Sequence, residues 1–93
     1  MPALDEFRTR INQLDEQLAE ILGERTEICR EVAVFKKANN IPMMQSGRVE
    51  EVKDKAAARG EGHRLHPDFM RALYTLIIDE SCRIEDEIID APG

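Results

Sequence analysis

The chain has no tryptophan, one tyrosine and three phenylalanines, so aromatics are 4% of its 93 residues. A core of large stacked rings is thereby excluded, and the apolar content, mostly Leu, Ile, Val and Ala, suits packing between helices. No apolar run approaches the roughly 18 residues of a membrane span, and the N-terminal MPALDEFRTR has no apolar segment of the kind an export signal carries. Cysteine occurs twice, as Cys29 and Cys82, with no C-x-x-C and no histidine at zinc spacing. Two reduced thiols and no metal site are the expectation. Basic blocks are also missing. Charged residues are 34% of the chain, with net charge −6 and a pI of about 4.9. That balance argues against nucleic acid and anionic membranes as partners. With no strand alternation, repeat or low-complexity segment, the chain reads as a single all-α, cytoplasmic domain over residues 1–93 with a thin core.

What is present is a long amphipathic stretch. Leu4, Phe7, Ile11, Leu14, Leu18, Ile21, Ile28, Val32 and Phe35 recur at alternating three- and four-residue steps, the spacing of a heptad seam. The beat missing from that run is filled by Arg25. A helix over residues 4–38 would be a rod of roughly 50 Å, whereas a compact domain of this size has a diameter near ~30 Å. The rod overhangs any core one chain can build, so its seam calls for a second copy and an intertwined homodimer is expected. Gly23 costs this helix about 1 kcal/mol against Ala unless something packs close to it. Asn39-Asn40 and Pro42 end it. A second helix is expected over about 47–59, with Ser46 as N-cap and Gly60-Glu61-Gly62 as the break. A third is expected over about 67–89, opened by Pro67, with Phe69, Leu73, Leu76, Ile77, Ile84 and Ile88 as its inner face and a frayed tail after it.

Several polar residues stand where apolar ones would be ordinary. Arg25, Cys29, Val32 and Lys36 share a face of the long helix, with Arg25 and Lys36 roughly 16 Å apart along the axis. Ser81 and Glu85 interrupt the apolar face of the third helix, and Arg48 lies in the first turn of the second, where the helix N-terminus itself favours anions. Each has a plain alternative. Arg25 could set heptad register or reach solvent, Lys36 and Arg8 could be surface, Ser81 could bond a backbone carbonyl, and Glu85 belongs to an acidic run. Taken together, cations at half-buried positions of an acidic chain indicate a site for a small di-anion. A helical dimerisation module with no catalytic role is the alternative from another class.

The pattern Arg8-x-x-Ile-x-x-Leu-Asp15, then Glu24-Arg25, Lys36, Arg48 and Leu76-Ile-Ile-x-x-Ser81 resembles the all-helical (AroQ-type) chorismate mutases, without a gap from Leu4 to Ile89. The resemblance implies a dimer of three-helix chains, each site completed by the partner's long helix, and a small di-carboxylate substrate. It implies that Arg8 arrives from the partner chain, that Arg25 and Arg48 hold the carboxylates, that Lys36 reaches the ether oxygen, and that Ser81 is a lesser carboxylate contact. Val32, Ile77 and Cys82 would be walls. The implied reaction, chorismate to prephenate, is an intramolecular [3,3] rearrangement that needs no nucleophile, metal or cofactor. It needs a folded conformer held in place and donors where charge develops.

Three positions depart from the usual bacterial pattern. Gln45 and Val49 stand where the family commonly has acids near the C4 substituent, and Glu85 stands for a Gln, as it does in fungal members. A carboxylate facing an ether oxygen repels it, so Glu85 must hold a proton to donate, which predicts activity favouring low pH. The stretch Pro42–Val49 is similar to mutases acting on 4-amino-4-deoxychorismate, and a valine after Arg48 resembles isochorismate-pyruvate lyases. Chorismate is ranked first as substrate, the amino analogue second and isochorismate third.

Overall fold

The computed structural model describes residues 2–43 and 45–92. Met44 of the Pro42–Val49 stretch and Gly93 of the tail lie outside the described residues. The described residues form three helices and no strand: α1 (Pro2–Ala38), α2 (Arg48–Glu61) and α3 (Pro67–Ile89). No described helix is long and apolar enough to cross a membrane.

The punctuation explains the boundaries. At the end of α1, Asn40 turns left-handed (φ 54°), a conformation asparagine tolerates. This lets Ile41 N–H bond Lys36 O at 2.9 Å and Asn39 N–H bond Phe35 O at 3.1 Å, satisfying carbonyls the helix would orphan. Ser46 is not the cap of α2. Gly47 holds that position in the left-handed region (φ 77°) with no side-chain cap bond, because Arg48 N–H closes a turn onto Gln45 O at 3.1 Å. Gly60 does not break α2 either. It stays helical and buried because α3 passes close: a Cβ there would lie 2.5 Å from Met70 Cγ and 3.3 Å from Leu65 Cβ. The bend to α3 uses Gly60 O twice, accepting from His63 N at 3.0 Å and Leu65 N at 2.9 Å. His66 caps α3 by accepting from Asp68 N–H at 3.1 Å, and Pro67 occupies the first turn as expected.

α3 is the shared element. It packs against both other helices, while α1 and α2 do not pack on each other. Its first half meets α2 through Met70 at Gly60 and through Arg71 Nη2 on Asp54 Oδ1 at 2.8 Å. Its second half meets α1, where Lys37 Nζ donates to Ile88 O at 3.2 Å and to Ala91 O. The start of the tail expected to fray is thus tied to α1. Of the expected inner face of α3, Ile84 is buried and Leu73, Ile77 and Ile88 are half-buried. Met70 and Ile84 are buried, whereas Phe69 and Leu76 point outward, 53% and 69% exposed.

The buried apolar set is small: Ala33, Ala56, Ala57, Met70 and Ile84. The seam of α1 is not part of it. Leu4, Phe7, Ile11, Leu14, Leu18 and Ile21 are between 45% and 62% exposed, uncovered by their own chain. The radius of gyration is 16.9 Å and the longest dimension 56 Å, against about 12 Å for a compact domain of this length.

Gly60 yields a stability test. Gly60→Ala forces its methyl into Met70 and should lower unfolding free energy by about 1–3 kcal/mol in urea melts. Gly62→Ala, whose methyl would meet only Arg59 O at 3.6 Å, should change it by less than about 0.5 kcal/mol.

Candidate active site

Because α1 and α2 lean on α3 without touching each other, a cleft of about 450 Å³ opens between them, within the range of small-molecule sites. α1 supplies Arg25, Ile28, Cys29, Val32 and Lys36 to its wall, spaced by roughly one turn so that they share a face. α3 supplies Ile78, Ser81, Cys82 and Glu85. The connection and the first turn of α2 add Met43, Gln45, Arg48, Val49 and Val52. Apolar walls therefore carry three cations, one carboxyl group and a hydroxyl.

Two polar crossings order the interior. Arg25 Nη1 donates to Ser81 Oγ at 2.7 Å, and the Ser81 hydroxyl in turn donates to Ile77 O at 2.9 Å. The serine hydroxyl thus spends its donor on the helix and offers its lone pair to the guanidinium, which fixes where Arg25 points. Further along, Lys36 Nζ donates to Glu85 Oε1 at 2.9 Å and to Met43 O at 2.6 Å. Both charged side chains are largely buried, 16% and 11% exposed. An ammonium carries three N–H donors; two of those on Lys36 are committed. Glu85, expected as a proton donor, here accepts from Lys36.

The rim is looser. Arg48 is exposed and rests against Glu51, Nη1 to Oε1 at 2.7 Å, and the same carboxylate oxygen takes Lys55 Nζ at 3.1 Å. Lys55 first, then Arg48, hold the Glu51 carboxyl below its usual range. Gln45 Nε2 donates to Pro42 O at 2.9 Å, which folds the connection on itself. The Cys82 thiol is pushed up, mainly by burial and then by the Glu85 charge, so it is a poor nucleophile.

Of the residues singled out in the sequence, Arg25, Val32, Lys36, Gln45, Arg48, Val49, Ser81, Cys82 and Glu85 come together around this one cleft. Arg8 does not. It lies exposed near the start of α1, 3.9 Å from Asp5, and its 17 residues of helix before Arg25 amount to about 25 Å. Ile77 is not a wall of this cleft. It faces a separate groove with Leu22, Gly23 and Leu76, and Ile78, one residue further round the helix, takes the wall position. Gly23 has nothing of its own chain within 4 Å of a built Cβ. Sequence reasoning missed Ile28, Met43, Val52 and Ile78 as lining. Ile28 was readable as part of the seam, but Met43 enters through its carbonyl, which no side-chain pattern reports.

Comparison with known proteins adds an independent line. A family profile described as chorismate mutase type II matches residues 7–86. A 4-amino-4-deoxychorismate mutase of Streptomyces pristinaespiralis is 38% identical over 90 residues, covering 97% of this chain and 70% of the relative. A 4-amino-4-deoxychorismate mutase of Streptomyces venezuelae is 37% identical over 86 residues, covering 92% and 84%. A bifunctional chorismate mutase/prephenate dehydratase of Escherichia coli K12 is 28% identical over 83 residues, covering 89% of this chain and 22% of the relative.

The interior pair can be tested by stability alone. Lys36→Met takes the cation from a buried carboxylate and should cost about 1–3 kcal/mol. Glu85→Leu added to it should recover most of that loss. A double-mutant cycle in urea should give a coupling above about 1 kcal/mol.

Proposed function

The chain belongs to the chorismate mutase type II family of isomerases, and we propose that it rearranges a chorismate-type dicarboxylate, chorismate or its 4-amino-4-deoxy analogue, to the corresponding prephenate. The observation that carries this reading is the cleft itself: Arg25, Lys36 and Arg48 converge on an apolar-walled space in a chain of net charge −6. Arg25 and Arg48 are the carboxylate anchors, since guanidinium forks match carboxylates. Holding both ends fixes the folded conformer in which the new C–C bond can form as the C–O bond breaks. Among the described residues two of the three Lys36 N–H donors are committed, and the third serves the ether oxygen where negative charge grows. Ser81 aims Arg25. Glu85, which accepts from Lys36 Nζ at 2.9 Å, orients Lys36.

The amino analogue has specific support. The two Streptomyces relatives, 38% and 37% identical, carry that name, and the rim positions next to Arg48 are the uncharged Gln45 and Val49. Gln45 gives its N–H to Pro42 O, leaving its side-chain carbonyl as an acceptor for a C4 amino or hydroxyl group.

The working unit in this reading is an intertwined homodimer in which Arg8 enters the partner's cleft. The exposed seam of α1 supports it, because burying apolar surface is worth about 25 cal/mol per Å² and a monomer leaves that surface in water. Sedimentation should give a dimer.

Turnover decides the chemistry. Purified protein should convert chorismate or 4-amino-4-deoxychorismate between pH 5 and 8, and Arg25→Ala should lower kcat/KM at least about 100-fold. Release of pyruvate from isochorismate instead would move the assignment to a lyase, and a folded dimer inert on all three would reject it.

Subunit mixing tests Arg8. Arg8→Ala and Arg25→Ala dimers, each nearly inactive, should regain about a quarter of wild-type activity after exchange. A mixed two-fold dimer then has one intact site of two. No recovery would place Arg8 outside the site.

A further inference from the structure

The turn that joins the connection to α2 carries a constraint that the reaction alone does not explain. Arg48 N–H bonds Gln45 O at 3.1 Å, so Gln45, Ser46, Gly47 and Arg48 form a β-turn. Its third residue, Gly47, has φ 77° and ψ −6°. Ser46 is not among the residues with positive φ, so the turn is type II, whose third position demands φ above zero and accepts glycine or asparagine. The first and last residues of this turn, Gln45 and Arg48, both line the cleft. A Cβ built on Gly47 meets no atom of the described residues beyond its chain neighbours within 4 Å. Its requirement is conformational, not steric.

A competing arrangement is written into the same residues. Ser46 is a good N-cap, and with residue 47 in the right-handed region α2 would start one residue earlier beneath it. The observed left-handed Gly47 rejects that alternative and starts α2 at Arg48.

We propose that Gly47 is a positioning residue for substrate binding: by holding the type II turn it sets Gln45 and Arg48 together on the rim of the cleft. This rests on the reading of Arg48 as a carboxylate anchor. An L-residue without a polar side chain at 47 favours the serine-capped helix and turns Gln45 and Arg48 out of register with each other. Asparagine, which tolerates the left-handed region, keeps them there.

The experiment compares Gly47→Ala, Gly47→Asn, Arg48→Ala and Gly47→Ala/Arg48→Ala with whichever substrate the wild type turns over. Gly47→Ala should raise KM about tenfold with kcat changed less than about threefold, Gly47→Asn should stay within about twofold of wild type, and the double variant should match Arg48→Ala. Gly47→Ala with wild-type KM, Gly47→Asn as impaired as Gly47→Ala, or additive effects in the double variant would overturn the proposal. If Arg48→Ala itself leaves KM unchanged, the anchor reading fails and the proposal with it. A thermal arm tests the turn without turnover. Ser46→Ala should be neutral in the wild type and should lower Tm by about 4–8 °C in the Gly47→Ala background, where Ser46 has become the cap. Equal shifts in both backgrounds would overturn the competing-helix account.

Discussion

The contact of α1 with α3 is made at its ends by charge and hydroxyl, and the cleft depends on it. Arg25 meets Ser81 and Lys36 meets Glu85; between these crossings lies Ala33, fully buried. A methyl group at that point lets two helices approach closely enough for long polar side chains on either side to reach across at hydrogen-bond distance. A larger residue there would part the helices and strand the buried pair, which is costly once one partner is lost. The residues that hold the fold together at this interface are the same ones that face the cleft, so substitutions there act on stability and on the site at once.

This economy suits a reaction that asks only for fixed charges. A concerted rearrangement moves no proton to the protein and forms no bond with it, so preorganised donors and a restrictive shape are enough. The two crossings hold Arg25 and Lys36 in place through side chains of α3, which preorganises them. The rim is the adjustable part. Arg48 leans on an exposed carboxylate shared with Lys55, an arrangement a doubly charged ligand can displace at small cost because such surface pairs contribute little.

Much of this was legible in the sequence, for identifiable reasons. The helices follow from seam periodicity, Pro42 and Pro67, and the placement of Arg25, Cys29, Val32 and Lys36 on one face follows from helical spacing alone. The misreadings arise where close packing or turn geometry overrules what single-residue propensity reports. Gly60 reads as a breaker until Met70 is seen pressing on it. Ser46 reads as a cap until the Gln45–Arg48 bond is seen. Phe69 and Leu76 read as part of the inner face of α3, yet both stay exposed in the single chain. Ile77 and Ile78 were exchanged because one residue of helix turns a side chain by about 100°, finer than a pattern of apolar beats can resolve.

The bond from Lys36 to Met43 O bears on how mutational data at this site should be interpreted. One ammonium group neutralises Glu85 and also moors a stretch of backbone that includes the cleft wall. Removing the charge, by substitution or by acylating the amine, would therefore release a chain segment as well as an electrostatic contact. A rate deficit measured at position 36 is a composite of the two, larger than the stabilisation of the ether oxygen by itself.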